Sequence, residues 1–350
     1  MPESRAPGNA ASWHEIRTQL EVDELEAAPS SWIAGTSEIR GGWVTAKPGQ
    51  LAALGRLLAA AQKRHPAYQV RRGVCTDLNG VFWLRLETGG DSPLVSQVAG
   101  AGKNAVRPYN GGRPFRIERE WLYPLLRGRD VKPFCVTGPQ LAILVPQRGS
   151  VGISEEELRA CPYAWEYLRH YRTELQLRSS YRRYHSKRKA PYWSLWDCGP
   201  YTFQSPKVVL REIAGRAIAA VVGTLPPAGG PLGAAVAGKP VVPDHKLFFV
   251  ATDTEDEAHY LCAILNSSAC VELIVAWSPK RHVSGRGLLD LLRPPRYDSG
   301  NARHCELARL SMAAHAAGGR LDQKLAKELD RLAIEVLSGG GQDTGSASPE

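Results

Sequence analysis

With 350 residues, 43% of them hydrophobic, the chain can bury a real core in one large domain or two smaller ones, as a globular protein does. Lys and Arg outnumber Asp and Glu by 44 to 35 and the pI is near 9.2, a balance that favours an anionic partner, nucleic acid or a membrane surface. The longest apolar candidate, residues 217–237, is broken by Gly223, Pro226, Pro227 and Pro231, which excludes a bilayer-spanning helix of roughly 20 residues. Residues 1–10 lack the charged-then-apolar layout of a signal peptide, so a cytoplasmic location is expected. The cysteines, Cys75, Cys135, Cys161, Cys198, Cys262, Cys270 and Cys305, are scattered with no Cys-x-x-Cys pair and read as reduced core residues, neither a disulfide frame nor a zinc site.

In chain order, residues 13–27 form an acidic helix candidate. Trp43 opens a second helix-like stretch that includes residues 51–62, with Leu51, Leu54, Leu57, Leu58 and Ala61 on one apolar face. Residues 71–80 are turn-rich and feed a strand-like run over residues 81–86. Residues 123–130 read as a short helical turn ending in charge, and residues 141–145 as an apolar strand.

The next stretch, residues 154–210, is the most informative. Ser154 and Glu157 have the spacing of a capping box, in which each side chain accepts from the other residue's free amide, and Pro162 interrupts the helix so begun. Beyond it Ala164, Leu168, Tyr171 and Leu175 recur at alternating spacings of four and three and turn to a core, leaving Arg169, Arg172 and Arg178 to point elsewhere. Residues 178–189 then carry seven basic side chains, His185 included, and no acid, followed by Tyr192, Trp193, Trp196, Tyr201 and Phe203. Such cations release counterions from a phosphate backbone and flat rings stack on bases. A basic run alone is more often a solvated face; the interleaved aromatics and the basic balance of the chain favour binding. Tyr167, Tyr171, Trp165 and Trp196 read as core, while Trp193 fits either role.

Further strands are expected at residues 207–210, 217–222 and 247–251, with residues 225–240 a small-residue loop. A helix over residues 255–266 and an apolar segment over 270–277 precede a loop, 278–287, whose Lys280, Arg281 and Arg286 offer a second phosphate contact. Residues 305–337 suggest a helical pair, and the Gly/Ser-rich tail a disordered end. Together these elements make an α+β fold, a mixed domain of several short strands with flanking helices and a C-terminal helical pair. The expected organisation is an N-terminal helix and connector (1–40), a recognition region (41–300), C-terminal helices (301–337) and a tail (338–350).

Other chemistry finds little support. Gly233 to Lys239 has phosphate-loop spacing, but Pro240 stands where a Ser or Thr would hold magnesium. Pro243-Asp244-His245-Lys246 superficially matches a nuclease corner with no Glu-x-Lys to complete it, and reads as a turn before a strand. His304-Cys305, and Ser179 or Ser180 near His185, lack a third orienting group. His259 and Cys262 read as neighbours on a helix face.

The segment Gly73-Val-Cys-Thr76-Asp77-Leu-Asn79-Gly-Val-Phe82 resembles the Gly-x-x-Thr-Gly-x-Asn-x-x-Phe run that opens the specificity region of TaqI-like adenine-specific DNA methyltransferases, fused restriction-modification enzymes included. The order of further pieces carries the resemblance: the stretch led by Trp43, Leu126-Arg127-Gly128-Arg129-Asp130-Val131, Tyr167-Leu168 with Leu175 and Arg178, Ser205-Pro206-Lys207-Val208, Ala263-Ile264-Leu265-Asn266-Ser267, and a terminal helical stretch. It extends from Trp43 to Leu337. Asp77 stands where the family has glycine, which bears on the shape of that turn, and residues 225–240 are individual to this chain. The family's S-adenosylmethionine loop and its Asn-or-Asp-Pro-Pro-aromatic tetrad are missing: Pro226-Pro227 lies between Leu225 and Ala228, Pro294-Pro295 between Arg293 and Arg296. The roughly 40 residues before the match are too few for a methyl-transfer domain.

The resemblance therefore implies a target-recognition part that reads double-stranded DNA, with no cofactor of its own and no membrane, beside a separate methyltransferase chain holding S-adenosylmethionine. On that expectation Arg172, Arg178, Arg182, Arg183, Lys187, Arg188 and Lys189 contact phosphates or guanine edges, Tyr192 and Trp193 contact bases, and Lys207, Arg281 and Arg286 add contacts. An active split methyltransferase, or a binder of RNA or single strands, is the alternative.

Overall fold

The computed structural model describes residues 26–29, 43–46, 51–98, 100–101, 106–212, 217–227, 230–277 and 285–339. Its architecture is α+β, as the alternation of patterns predicts. Strands β1 (Glu26–Pro29) and β2 (Trp43–Ala46) pair antiparallel, so the acidic helix does not extend through residue 27, Trp43 stands in a strand, and residues 13–25 lie outside the described ones. Helix α1 (Leu51–Gln62) follows, with Leu54, Leu57, Leu58 and Ala61 buried along its predicted face.

After β3 (Arg71–Arg72) a single helical turn, α2 (Asn79–Phe82), delays the expected strand, and β4 spans Trp83–Leu86. Strands β5 (Leu94–Gln97), β6 (Phe115–Arg116), β7 (Leu122–Leu126), β8 (Val131–Lys132), β9 (Cys135–Val136) and β10 (Leu141–Leu144) come next. Residues 123–130 are thus not a helical turn throughout. Leu122, Leu125 and Leu126 are fully buried; residues 122–125 pair with β10 and Leu126 with Pro243, leaving a 3₁₀ turn only at Gly128–Asp130.

The capping box forms as predicted: Glu157 N–H donates to Ser154 Oγ at 3.1 Å and Ser154 N–H to Glu157 Oε2 at 3.0 Å. Helices α3 (Glu155–Arg159), α4 (Pro162–His170) and α5 (Arg172–Leu177) follow, with Ala164, Leu168, Tyr171 and Leu175 all buried. The C-terminal part holds β11 (Lys207–Arg211), β12 (Ala219–Val222), α6 (Gly230–Val236), β13 (Val242–Pro243), β14 (Leu247–Ala251), α7 (Glu255–Asn266), α8 (Ser268–Trp277), α9 (Gly285–Leu292), α10 (Ala302–Ala316) and α11 (Gln323–Ser338). The small-residue loop therefore contains a helix. Gly233, Ala235 and Val236 of α6 are buried, and close approach offsets its weak propensity: a Cβ on Gly89 would meet Ala234 Cβ at 2.5 Å.

Two sheets organise these elements, one in the order β13-β7-β10-β4-β5-β6, the other β12-β11-β14-β3. All their pairs are antiparallel except β13 with β7. The chain passes between the sheets at Gly73 and Val74, whose amides donate to Leu247 O and Pro243 O at 2.8 Å each. Gly73 tolerates no side chain, since a Cβ there would lie 2.0 Å from Asp244 O.

One core packs α1, α7, α10 and α11 on the four-stranded sheet through Leu58, Val208, Leu261, Ile264, Leu310 and Leu332. Asn266 ties α7 to that sheet by accepting from Ala219 N–H at 3.0 Å and donating to Ala219 O at 2.9 Å. A second core, with Phe82, Leu84, Ile143, Tyr167 and Trp193, fills the space beneath α3 to α5 and supports the basic segment that follows α5. Among the described residues no helix is long and apolar enough to cross a membrane.

Candidate nucleic-acid interface

The basic segment is an anchored loop. Helix α5 stops at Arg178, whose backbone leaves the helical region at φ −56°, ψ 139°. Its side chain turns inward. The guanidinium donates to Leu175 O at 3.1 Å, Thr76 O at 2.9 Å, Tyr192 O at 2.7 Å and Ser194 O at 2.9 Å, and lies 5.1 Å over the ring of Phe82. One cation therefore fastens the start of the loop, its return and the Thr76 turn. Burial lowers its pKa to about 10, against the opposing pull of Asp77, so it stays charged at neutral pH.

The Thr76 turn supplies the second fastening. Asp77 adopts φ 54°, the left-handed conformation that glycine favours and that Asp tolerates better than most residues. In return the Asp77 carboxylate accepts from Ser180 N–H at 2.6 Å, a bond glycine could not make. That bond and others hold its pKa below the usual carboxylate value despite its burial. Thr76 Oγ1 bonds Asn79 Oδ1, closing the turn.

Between these fastenings Tyr181–His185 form a π-helical turn and Ser186–Arg188 a 3₁₀ turn, ended by Lys189 at φ 53°. Arg172, Arg182, Arg183, Lys187, Arg188 and Lys189 are exposed, and among the described residues none has a carboxylate within 4.0 Å. Glu174, the one acid in this stretch, faces Arg107 at 3.5 Å instead. Tyr184 stacks on Trp196 with centroids 3.6 Å apart and planes 12° from parallel. Trp196 in turn pairs its backbone with Cys75, next to the Thr76 turn.

These geometries sort the predicted residues. Arg172, Arg182, Arg183, Lys187, Arg188 and Lys189 are each on the surface. Arg178 does not join them, being 4% exposed with its donors committed to carbonyls. Trp193 is core: its Nε1 donates to Ile153 O at 3.1 Å, and its ring lies where a Cβ on Gly152 would be, 2.5 Å away. Tyr192 is buried too, with Arg172 5.5 Å above its ring. Lys207 is fully buried, donating to Thr202 O at 2.7 Å and Val241 O at 3.0 Å, and burial lowers its pKa to about 7. None of these four presents its polar end to a ligand at the surface. Arg281 lies outside the described residues, and Arg286 falls in α9 with its side chain outside them.

Tyr167 and Tyr171 are core as expected, whereas Trp165 and Trp196 are only half-buried. Sequence reasoning missed the Tyr184–Trp196 stack; the available signal was a tyrosine set directly between Arg183 and His185. Lys239 of the phosphate-loop-like spacing donates to the carbonyls of Arg119, Glu120 and Leu122, a structural task. Asp244 accepts from Lys246 N–H at 2.9 Å in a turn before β14. His259 meets Ser311 Oγ at 3.1 Å, and His304 Nδ1 accepts from Asp298 N–H.

No protein-family profile matches the chain. A fold comparison pairs it with the type IIL restriction-modification enzyme MmeI in complex with DNA, at a TM-score of 0.46 and 9% identity over 80% of this chain and 34% of that one. The chain spans about a third of the length of that enzyme and of the type II methyltransferase to which its sequence is similar. Over 171 residues, 48% of its length, it is 26% identical to the type II methyltransferase M.NspV of Nostoc sp. (strain ATCC 29411 / PCC 7524), and it is to such methyltransferases that its sequence is similar.

Proposed function

We propose that this chain is the target-recognition part of an adenine-specific DNA methyltransferase of a restriction-modification system. It grips double-stranded DNA through residues 172–189, helix α5 and the loop that follows it, and methyl transfer, with its S-adenosylmethionine, falls to a separate catalytic chain. The observation that carries this reading is the set of six exposed cations without carboxylate partners among the described residues, Arg172 on helix α5 and five on the anchored loop that follows it, with Tyr184 of that loop stacked on Trp196. Such cations neutralise phosphates, and arginines among them can bond the two major-groove acceptors of guanine. Similarity to a type II methyltransferase over part of the chain supports the same assignment.

The test is duplex binding measured against salt. Each phosphate contact adds about 0.9 to the slope of log K against log salt, so changing Arg182, Arg183, Lys187 and Arg188 together to Gln should flatten it by about 3 to 4. An unchanged slope, or a clear preference for unpaired strands, overturns the reading. Methylation by this chain alone would overturn the assignment of catalysis to a partner.

A further inference from the structure

A second group of cations, none of them in the loop, lies at the rim where the two sheets meet. Two motifs without a role in the loop meet there: the 126–131 run and the turn at Asp244 to Lys246. Asp244 N–H donates to Leu126 O at 2.8 Å and Glu212 N–H to Lys246 O at 3.0 Å, so the 3₁₀ turn, the Asp244 turn and the end of β11 are pinned to one another. Gly128 packs close enough that a Cβ would touch Lys246 at 3.4 Å. The result is an open cleft of about 690 Å³ whose lining includes Arg129, Arg211 and Lys246, the acid Asp244, and the apolar Trp83 and Leu141.

The charges in this cleft are not all spent on structure. Arg127 is committed to Asp130 at 2.8 Å and Lys246 faces Glu212 at 3.5 Å. Arg129 and Arg211 have no carboxylate within 4.0 Å among the described residues, although Arg211 is half-buried. Two unneutralised guanidiniums beside a half-buried indole offer one unit of a nucleic-acid strand both things it needs, donors for a phosphodiester and a flat apolar face for a base.

We propose that this cleft is a second nucleic-acid site, in which Arg129 and Arg211 hold a phosphodiester and Trp83 takes the adjoining base of the strand whose duplex the basic loop grips. This rests on the proposed function for the identity of the polymer.

The test is photo-crosslinking of the full chain to a short duplex, and to its single strand, substituted with 5-iododeoxyuridine, with adducts located by mass spectrometry. The expected result is an adduct on the peptide containing Trp83, lost in the Arg129→Gln/Arg211→Gln variant while adducts at Tyr184 or Trp196 persist. Adducts only at Tyr184 or Trp196 overturn the cleft and leave the loop reading intact, as does a Trp83 adduct that survives the double substitution. A Trp83 adduct with the single strand but no duplex binding keeps the cleft and overturns the loop reading. No binding and no adduct with either probe overturns both. Circular dichroism of the variant confirms that it is folded.

Discussion

Replacing Arg178 with Met tests whether this residue anchors the loop or touches DNA. The substitution keeps much of the stem's apolar bulk and removes four donor bonds, to Leu175, Thr76, Tyr192 and Ser194. A typical hydrogen bond contributes about 1 kcal/mol net, and bonds to charged groups more, so four would give at least about 4 kcal/mol. Some of these carbonyls belong to loop segments that can rehydrate, which brings the expected loss to about 3 to 4 kcal/mol, readable as a lower midpoint in urea unfolding followed by tryptophan fluorescence. DNA affinity should fall at every salt concentration, because the loop loses its footing, while the salt slope stays that of the unaltered protein. Arg183→Gln should do the reverse, flattening the slope by about 0.9 with stability within about 0.5 kcal/mol. A destabilisation by Arg178→Met below about 1 kcal/mol, or a flattened slope, would refute the anchoring role.

Asp77→Ala should destabilise more than Asp77→Gly, by about 1 kcal/mol in the same unfolding assay, because both lose the bond from Ser180 but only glycine relieves the left-handed backbone. Asn266→Ala removes both bonds to Ala219 and should cost about 2 kcal/mol, with faster amide exchange in β12 as the local readout. Lys207 makes stability depend on pH. Its folded pKa, about 7, lies below the unfolded value of about 10.4, so between them the unfolded chain binds the extra proton and stability rises with pH. A neutral amine keeps two N–H groups for its two carbonyl partners. Lys207→Met should therefore flatten the rise above pH 7, and a slope identical to that of the unaltered protein would remove the account.

What the sequence reveals depends on how local the determining interaction is. The Ser154 capping box, α1 and α7 are legible because each helix is set by contacts within a few residues. Residues 123–130 suggest a helical turn because β7, buried between β10 and β13, lacks the alternation of a half-exposed strand. Within the basic run, charge alone could not separate Arg178 from Arg182. The difference lies in carbonyls contributed by Thr76 and Ser194, the first 102 positions away along the chain. Trp193 is buried because Gly152 leaves room for its ring, a pairing that spacing does not announce. The cleft was beyond reach for the same reason, since Arg129, Arg211 and Lys246 meet only after the two sheets are joined.

The single guanidinium at the root of the loop also bears on how such a protein can change over generations. The bonds from Arg178 end on main-chain oxygens, which every amino acid carries, so the grip does not depend on which side chains occupy the crown at positions 182–189. New residues can be tried at the exposed crown positions 182, 183 and 187–189 without removing any bond that Arg178 makes, and under the proposed function a lineage shifts the base sequence it favours by exchanging those residues while its folding machinery stays as it was.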